Sequence, residues 1–176
     1  MISDKARFEK WVALSRCVQG IEPFMMVAIQ GLGRLDAELA TADHKFLQMS
    51  EEERIRFQVE NPLELADRVT RSYLWVLGAY EIVRALDQRC RSGVIPATEA
   101  QRRRAREAKH RFERIRMPLA KFETARRHAD TDSPVAFPAL HVTQGVAWRV
   151  AADAFVTREE LAQDFRSLLE EFSDGA

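Results

Sequence analysis

The chain has 176 residues, 46% of them hydrophobic and 31% charged, with 27 Lys/Arg against 27 Asp/Glu. That length supports one sizeable core, and no Gly/Ser-rich or Pro-rich linker divides it, so residues 1–176 read as a single domain. The opening MISDKARFEKW is charged where a signal peptide needs an apolar core, and the longest apolar run, Tyr73 to Tyr80, is far short of the roughly 20 residues that cross a bilayer. The expectation is a cytoplasmic protein with no membrane partner. Its two cysteines, Cys17 and Cys90, make no metal or redox spacing and read as unpaired thiols.

In chain order, a first helix is predicted from about Ser3 to Gly20, with Phe8, Trp11, Val12 and Leu14 as its apolar positions. A second opens at Glu22-Pro23, since proline suits the first helical position, and runs to about Thr41. Gly31 and Gly33 weaken its middle or mark a close helix crossing. Ser50-Glu-Glu-Glu53 is a capping box for a short helix from Glu51 to about Glu60. Asn61-Pro62 then opens the central helix, which extends to about Arg91. Its stretch YLWVLGAYEIVRAL, Tyr73 to Leu86, is apolar nearly all round, as expected of a helix covered on several sides. Gly93 and Pro96 make a turn, and Thr98-Glu-Ala-Gln101 is a second capping box. In the helix that follows, to about Ala125, Ala105, Ala108, Phe112, Ile115, Leu119 and Phe122 repeat every three or four residues. The short loop makes it the antiparallel partner of the central helix. Leu140–Val142 and Val146–Val150 favour strands around Thr143-Gln144-Gly145, so a short β-hairpin is expected within residues 139–150. Thr157-Arg-Glu-Glu160 is a third capping box, for a last helix that buries Leu161, Phe165, Leu168, Leu169 and Phe172. Ser173 to Ala176 are expected to fray. The fold class is therefore mainly α, a single helical bundle with a short hairpin before the C-terminal helix.

The balanced charge conceals an asymmetry. Thr98 to His128 holds eleven Lys/Arg against four Glu, about +7, leaving about −7 elsewhere. Within this segment lies Ile115-Arg116-Met117-Pro118-Leu119-Ala120-Lys121. Pro118 lacks an amide hydrogen and crowds the carbonyl of Arg114, so the helix should kink or restart there. An antiparallel central helix would bring Glu81 or Arg84 to this level, where a Glu81–Arg116 pair would satisfy the arginine.

A long apolar helix, a turn and a helix carrying Ile-Arg-x-x-x-Ala-Lys resembles the HEPN superfamily, helical bundles whose RNA-cleaving members carry Arg-x4-6-His. The resemblance spans about Asp67 to Glu123. It implies that Arg116 binds a scissile phosphate, that Lys121 stands where the histidine would be, and that the site forms across a dimer cleft without metal. Lysine, with an unperturbed pKa near 10.4, is a poor acid–base group at neutral pH, so the resemblance implies a degenerate site.

The second candidate is the basic helical face of Arg102, Arg103, Arg106, Lys109 and Arg114, able to neutralise phosphates without reading sequence. Its competing role is intramolecular: Arg103 with Glu107, Glu113 with Arg106 or Arg116, or docking on acidic Glu51–Glu53. His44, His110, His128 and His141 lack metal-site spacing, and no cofactor motif is present. His141, Trp148 and Arg149 of the hairpin either pack it on the bundle or line a pocket. The sequence thus points to a non-catalytic helical binding or oligomerisation module, with a homodimer or a protein partner. The alternatives are a metal-independent HEPN-type RNase built on Arg116, Lys121 and Glu81, and sequence-neutral RNA binding through residues 102–114.

Overall fold

A computed structural model describes residues 4–173. Six helices, α1 (Lys5–Ser15), α2 (Pro23–Leu47), α3 (Glu51–Glu60), α4 (Pro62–Arg91), α5 (Glu99–Ala120) and α6 (Arg158–Ser173), enclose one core. Strands β1 (Phe137–His141), β2 (Gly145–Ala151) and β3 (Ala154–Thr157) form an antiparallel sheet in that order before α6. The expected hairpin is β1–β2; the third strand follows a two-residue turn that hydrophobic patterning did not separate from the helix cap. The start of the first predicted helix at Ser3 and the fraying of residues 174–176 lie outside the described residues, and Ser173 still ends α6.

All three capping boxes form. Ser50 and Glu53 exchange hydrogen bonds, as do Thr98 and Gln101, while Thr157 Oγ1 accepts from the Glu160 amide at 3.1 Å and Glu160 Oε2 accepts from the Thr157 amide at 3.0 Å. Helix α4 buries Trp75, Val76, Ala79, Tyr80, Ile82, Val83 and Leu86 and packs antiparallel to α5, whose Ala105, Ala108, Phe112 and Ile115 are fully buried. Coverage of α4 is incomplete, because Leu74 is 54% exposed.

Helix α2 runs six residues beyond Thr41 as one element. Of its two central glycines, Gly33 is the close crossing: an added Cβ would stand 2.4 Å from Trp11 Cβ, whereas one at Gly31 would meet nothing within 4 Å. Helix α5 does not restart at Pro118 but runs through it as one element. The proline sits buried in its last turn and the helix ends at Ala120. With no amide to donate to the Arg114 carbonyl, Pro118 removes that bond, and the helix stops two residues later. Phe122 consequently falls outside the seam, with φ 57° and 70% exposure.

A buried ionic network that sequence patterning did not suggest crosses the bundle. Asp36 of α2 accepts from Arg7 of α1, from Trp11 Nε1 at 2.7 Å and from Arg158 of α6. Arg158, 1% exposed, also donates to Asp43 at 2.9 Å, and Arg7 and Arg166 reach Glu159. Arg68 of α4 stands 3.9 Å from Asp43 and lies over the rings of Phe46 and Phe57. Burial pushes the Asp36 carboxyl upward, but the hydrogen bonds of Arg7 and the charge of Arg158 outweigh it and hold the group below its ordinary value. At Asp43 burial wins over Arg158 and Arg68, and the carboxyl is raised. Gly145, at φ 77°, leaves room for the Asp43 side chain where its own Cβ would be, so the β1–β2 turn docks directly on this network. No helix among the described residues is long and apolar enough to cross a membrane.

Candidate phosphate-binding cleft beside α5

The inward stripe of α5 fixes what its other faces present. With Ala105, Ala108, Phe112 and Ile115 in the core, Arg102, Arg103 and Arg106 project to solvent, while Lys109, His110, Glu113 and Arg116 flank the seam. After Phe122 the chain doubles back, buries Ala125 and makes a single 3₁₀ turn, Arg126–His128. Asp132 anchors this return: Arg114 donates to both its oxygens, at 2.7 and 3.0 Å, and its amide donates to the His128 carbonyl at 2.9 Å. Between the helix and the returning turn lies a cleft of about 280 Å³ lined by Lys109, His110, Glu113, Ala125, Arg126, Arg127 and His128.

Glu113 is the hub of that cleft. Its carboxylate lies 2.7 Å from Lys109 Nζ and 3.1 Å from His110 Nδ1, and Tyr80 of α4 donates its hydroxyl proton at 3.4 Å. Partial burial would raise the Glu113 carboxyl, but the bonds from Lys109 and His110 prevail and lower it. Tyr80 is raised by burial and by the neighbouring Glu113 charge. For Asp132, the Arg114 fork likewise overcomes burial and lowers the carboxyl. These two carboxylates therefore stay ionised and tied to cations, while Arg126 and Arg127 are exposed and enter no ion pair among the described residues.

The sequence-selected residues divide. Arg116 lies against this cluster, its guanidinium 5.2 Å from the centre of the Tyr80 ring, so it touches Glu113 only through the tyrosine. The expected Glu81–Arg116 pair does not form. Glu81 is exposed and paired at 2.8 Å with Arg84, one turn along its own helix, because Tyr80 and not Glu81 faces α5. Lys121 is the exposed C-cap of α5, its amide bonded to Met117 O at 2.9 Å, and no described hydrogen bond or ion pair joins its side chain to Arg116.

On the basic face, the anticipated Arg103–Glu107 pair gives way to Arg104, which reaches Glu107 at 4.0 Å and Asp164 at 3.4 Å. Glu113 pairs with Lys109 and His110 and not with Arg106 or Arg116, and Arg111 binds Asp164 at 2.9 Å. Neutralisation thus comes from α6 and from the loop at Asp132, not from Glu51–Glu53, since α3 packs on α4. Sequence reasoning missed Asp164 and the Arg126–His128 turn because both meet α5 only through the tertiary fold. The one local signal was the density of Arg126, Arg127 and His128 just beyond the helix. Trp148 points into the core and Arg149 to the opposite face, so with His141 they form no common pocket. Among the described residues no three His, Cys, Asp or Glu side chains gather as a metal site. No family model matches the chain, and neither a curated protein nor a solved structure does.

Proposed function

We propose that the chain is a helical binding module whose ligand carries phosphodiesters, RNA being the form that best suits it, and that the α5 cleft is where the backbone of that ligand is held. The carrying observation is that Lys109, Arg126, Arg127, His110 and His128 line one cavity whose single carboxylate, Glu113, is already engaged by Lys109, His110 and Tyr80. A polyanion entering there gains several cations at little cost in repulsion. Exposed Arg102, Arg103 and Arg106 extend the same charge along the helix. Relation to the HEPN superfamily belongs to this proposal, supported by the α4–α5 pairing and by Arg116 beside the cleft. Self-association belongs to it too, supported by Phe24 and Val27 of α2 and Leu74 of α4 remaining exposed on neighbouring helices; sedimentation velocity at micromolar concentration checks it. A cytoplasmic location fits two free thiols.

The test is RNA binding by fluorescence anisotropy across a salt series. For a single strand the logarithm of affinity should fall with that of salt by about 0.7 for each phosphate neutralised, so Lys109→Ala/Arg126→Ala/Arg127→Ala should flatten the slope by about 2. An unchanged slope in the folded variant would sink the cleft as the binding site.

One observation favours a second reading, metal-independent RNA cleavage. The cleft holds two histidines, and each presents Nδ1 to a carboxylate, His110 to Glu113 at 3.1 Å and His128 to Asp132 at 4.0 Å. Two imidazoles are the acid–base pair that Lys121 could not supply. One would take the 2′-hydroxyl proton as the 2′-oxygen–phosphorus bond forms. The other would protonate the departing 5′-oxygen as its bond to phosphorus breaks, leaving a 2′,3′-cyclic phosphate. Cleavage in EDTA that disappears in His110→Ala and His128→Ala but persists in Lys121→Ala supports it; RNA left intact by the wild-type protein removes it.

A further inference from the structure

One face of the sheet packs on the bundle; the other is covered at Ala147 and Thr157 and opens to solvent at the level of Arg149. Val146, Trp148 and Val150 of β2 enter the core, so by alternation Arg149 faces outward, and the strand register sets Phe137 of β1 and Phe155 of β3 directly beside it. The outer face therefore carries an uninterrupted cross-strand row, Phe137–Arg149–Phe155. Both rings stand in solvent, Phe137 at 50% and Phe155 at 45% exposure, and the Arg149 guanidinium lies 5.8 Å from the centre of the Phe137 ring. Arg149 has no carboxylate partner among the described residues, because the nearby Asp132 is held by both nitrogens of Arg114 and Asp164 is held by Arg111 and Arg104. Two exposed aromatic planes beside a cation with no carboxylate partner are poorly explained by sheet stability alone, since a single cross-strand pair contributes little.

This face is continuous with the cleft. The segment that lines the cleft with Arg126–His128 goes on through Thr131, Asp132 and Ser133 to line a groove of about 420 Å³ with Phe137 and Arg149. On the far side, Phe155 shares a second groove with Arg111 and Arg114. A chain of phosphates held at Arg126 and Arg127 would thus pass onto the row with its next bases free to stack. We propose, resting on the reading of the cleft as a phosphodiester site, that the outer sheet face is a stacking platform for unpaired bases, with Arg149 taking a phosphate or a base face between the two phenylalanines. The ligand is then single-stranded nucleic acid. Aromatic platforms of this kind accept any base, because every base has a π face, and they exclude a duplex, whose bases are already stacked.

The experiment uses the full chain and three labelled probes of equal charge: a single-stranded RNA, the same strand made abasic, and an RNA duplex of half that length. The intact protein should prefer the single strand to both others. Phe137→Ala and Phe155→Ala, whose rings are half exposed, should each weaken the single strand roughly tenfold while leaving the abasic strand unchanged, and Phe155→Trp should restore binding. Lys109→Ala/Arg126→Ala/Arg127→Ala should weaken all three probes together. Equal binding of the three probes, with the phenylalanine variants unaffected, overturns the platform and leaves the cleft reading standing. Loss of the single strand in the phenylalanine variants with no effect of the cleft variant overturns the cleft and keeps the platform. Binding of none of the probes overturns both and gives the face to a protein partner.

Discussion

At the scale of single residues, the greatest leverage lies in Asp36 and Arg158. Each is almost fully buried and they pair with each other; without Arg158, Asp36 keeps Arg7 and Trp11, but Asp43 is left in the core with only Arg68 at 3.9 Å. Arg158→Ala is expected to lower stability by about 3–5 kcal/mol, read as a shift of the urea midpoint at constant slope. The two central glycines of α2 should behave in opposite ways. Gly33→Ala drives a methyl group into Trp11 and should cost about 1–3 kcal/mol, whereas Gly31→Ala meets open space and should gain about 0.5–1 kcal/mol from helix propensity alone. Cys17 gives a separate check. Burial pushes its thiol up to about 11, over the opposing hydrogen bond with Ser173, so at pH 8 it should alkylate far more slowly than a free thiol and gain speed only as pH approaches that value. The two glycines mark a close crossing in the sequence without naming its partner, but the ionic pairings show no local pattern. Asp36 and Arg158 are 122 residues apart, and nothing in the neighbouring residues distinguishes Asp36 from a solvent-facing aspartate.

Secondary-structure elements were far more legible, since their signals act within one turn. Ser50-x-x-Glu53, Thr98-x-x-Gln101 and Thr157-x-x-Glu160 each begin a helix where they stand, and Thr157→Ala should cost about 1 kcal/mol as the α6 cap is lost, measured by thermal melting. The C-terminal ends of α3 at Glu60 and α4 at Arg91 also lie where their turn residues put them, but the seam of α5 runs on in the sequence to Phe122, because spacing alone cannot tell where a helix stops, while the structure ends it at Ala120 with Pro118 in the last turn. That difference matters to function, because the early stop lets the chain return and bring Arg126–His128 against Lys109 and His110. Likewise the short loop suffices to pair α4 with α5, yet the rotation of α4 that offers Tyr80, and not Glu81, to Arg116 depends on packing from both sides.

Across the whole molecule, the ionic network binds α1, α2, α4, α6 and the β1–β2 turn into one unit, and its response to acid is a global property. The Asp36 carboxyl is lowered in the folded state, so its stabilisation is fully present above the unfolded value of about 4 and is lost as pH falls through the folded value. Glu113 and Asp132 act in the same sense, and the raised Asp43 in the opposite one. Stability should therefore fall on acidification below about pH 4, and the deficit of Asp36→Asn, largest at neutral pH, should narrow as pH falls further; urea midpoints across that pH series measure it. The helical class, the order of the helices, their N-terminal caps and the concentration of positive charge in residues 98–128 can be read from the residues alone, because periodicity, capping and charge are written within a few residues of where they act. Which of those charges pair with Asp132 and Asp164, which two histidines share a cleft, and that Phe137, Arg149 and Phe155 stand in a row emerge with the folded chain. Each of these depends on strand register or on contacts between segments far apart in the chain, and such contacts are chosen by the packing of the entire core.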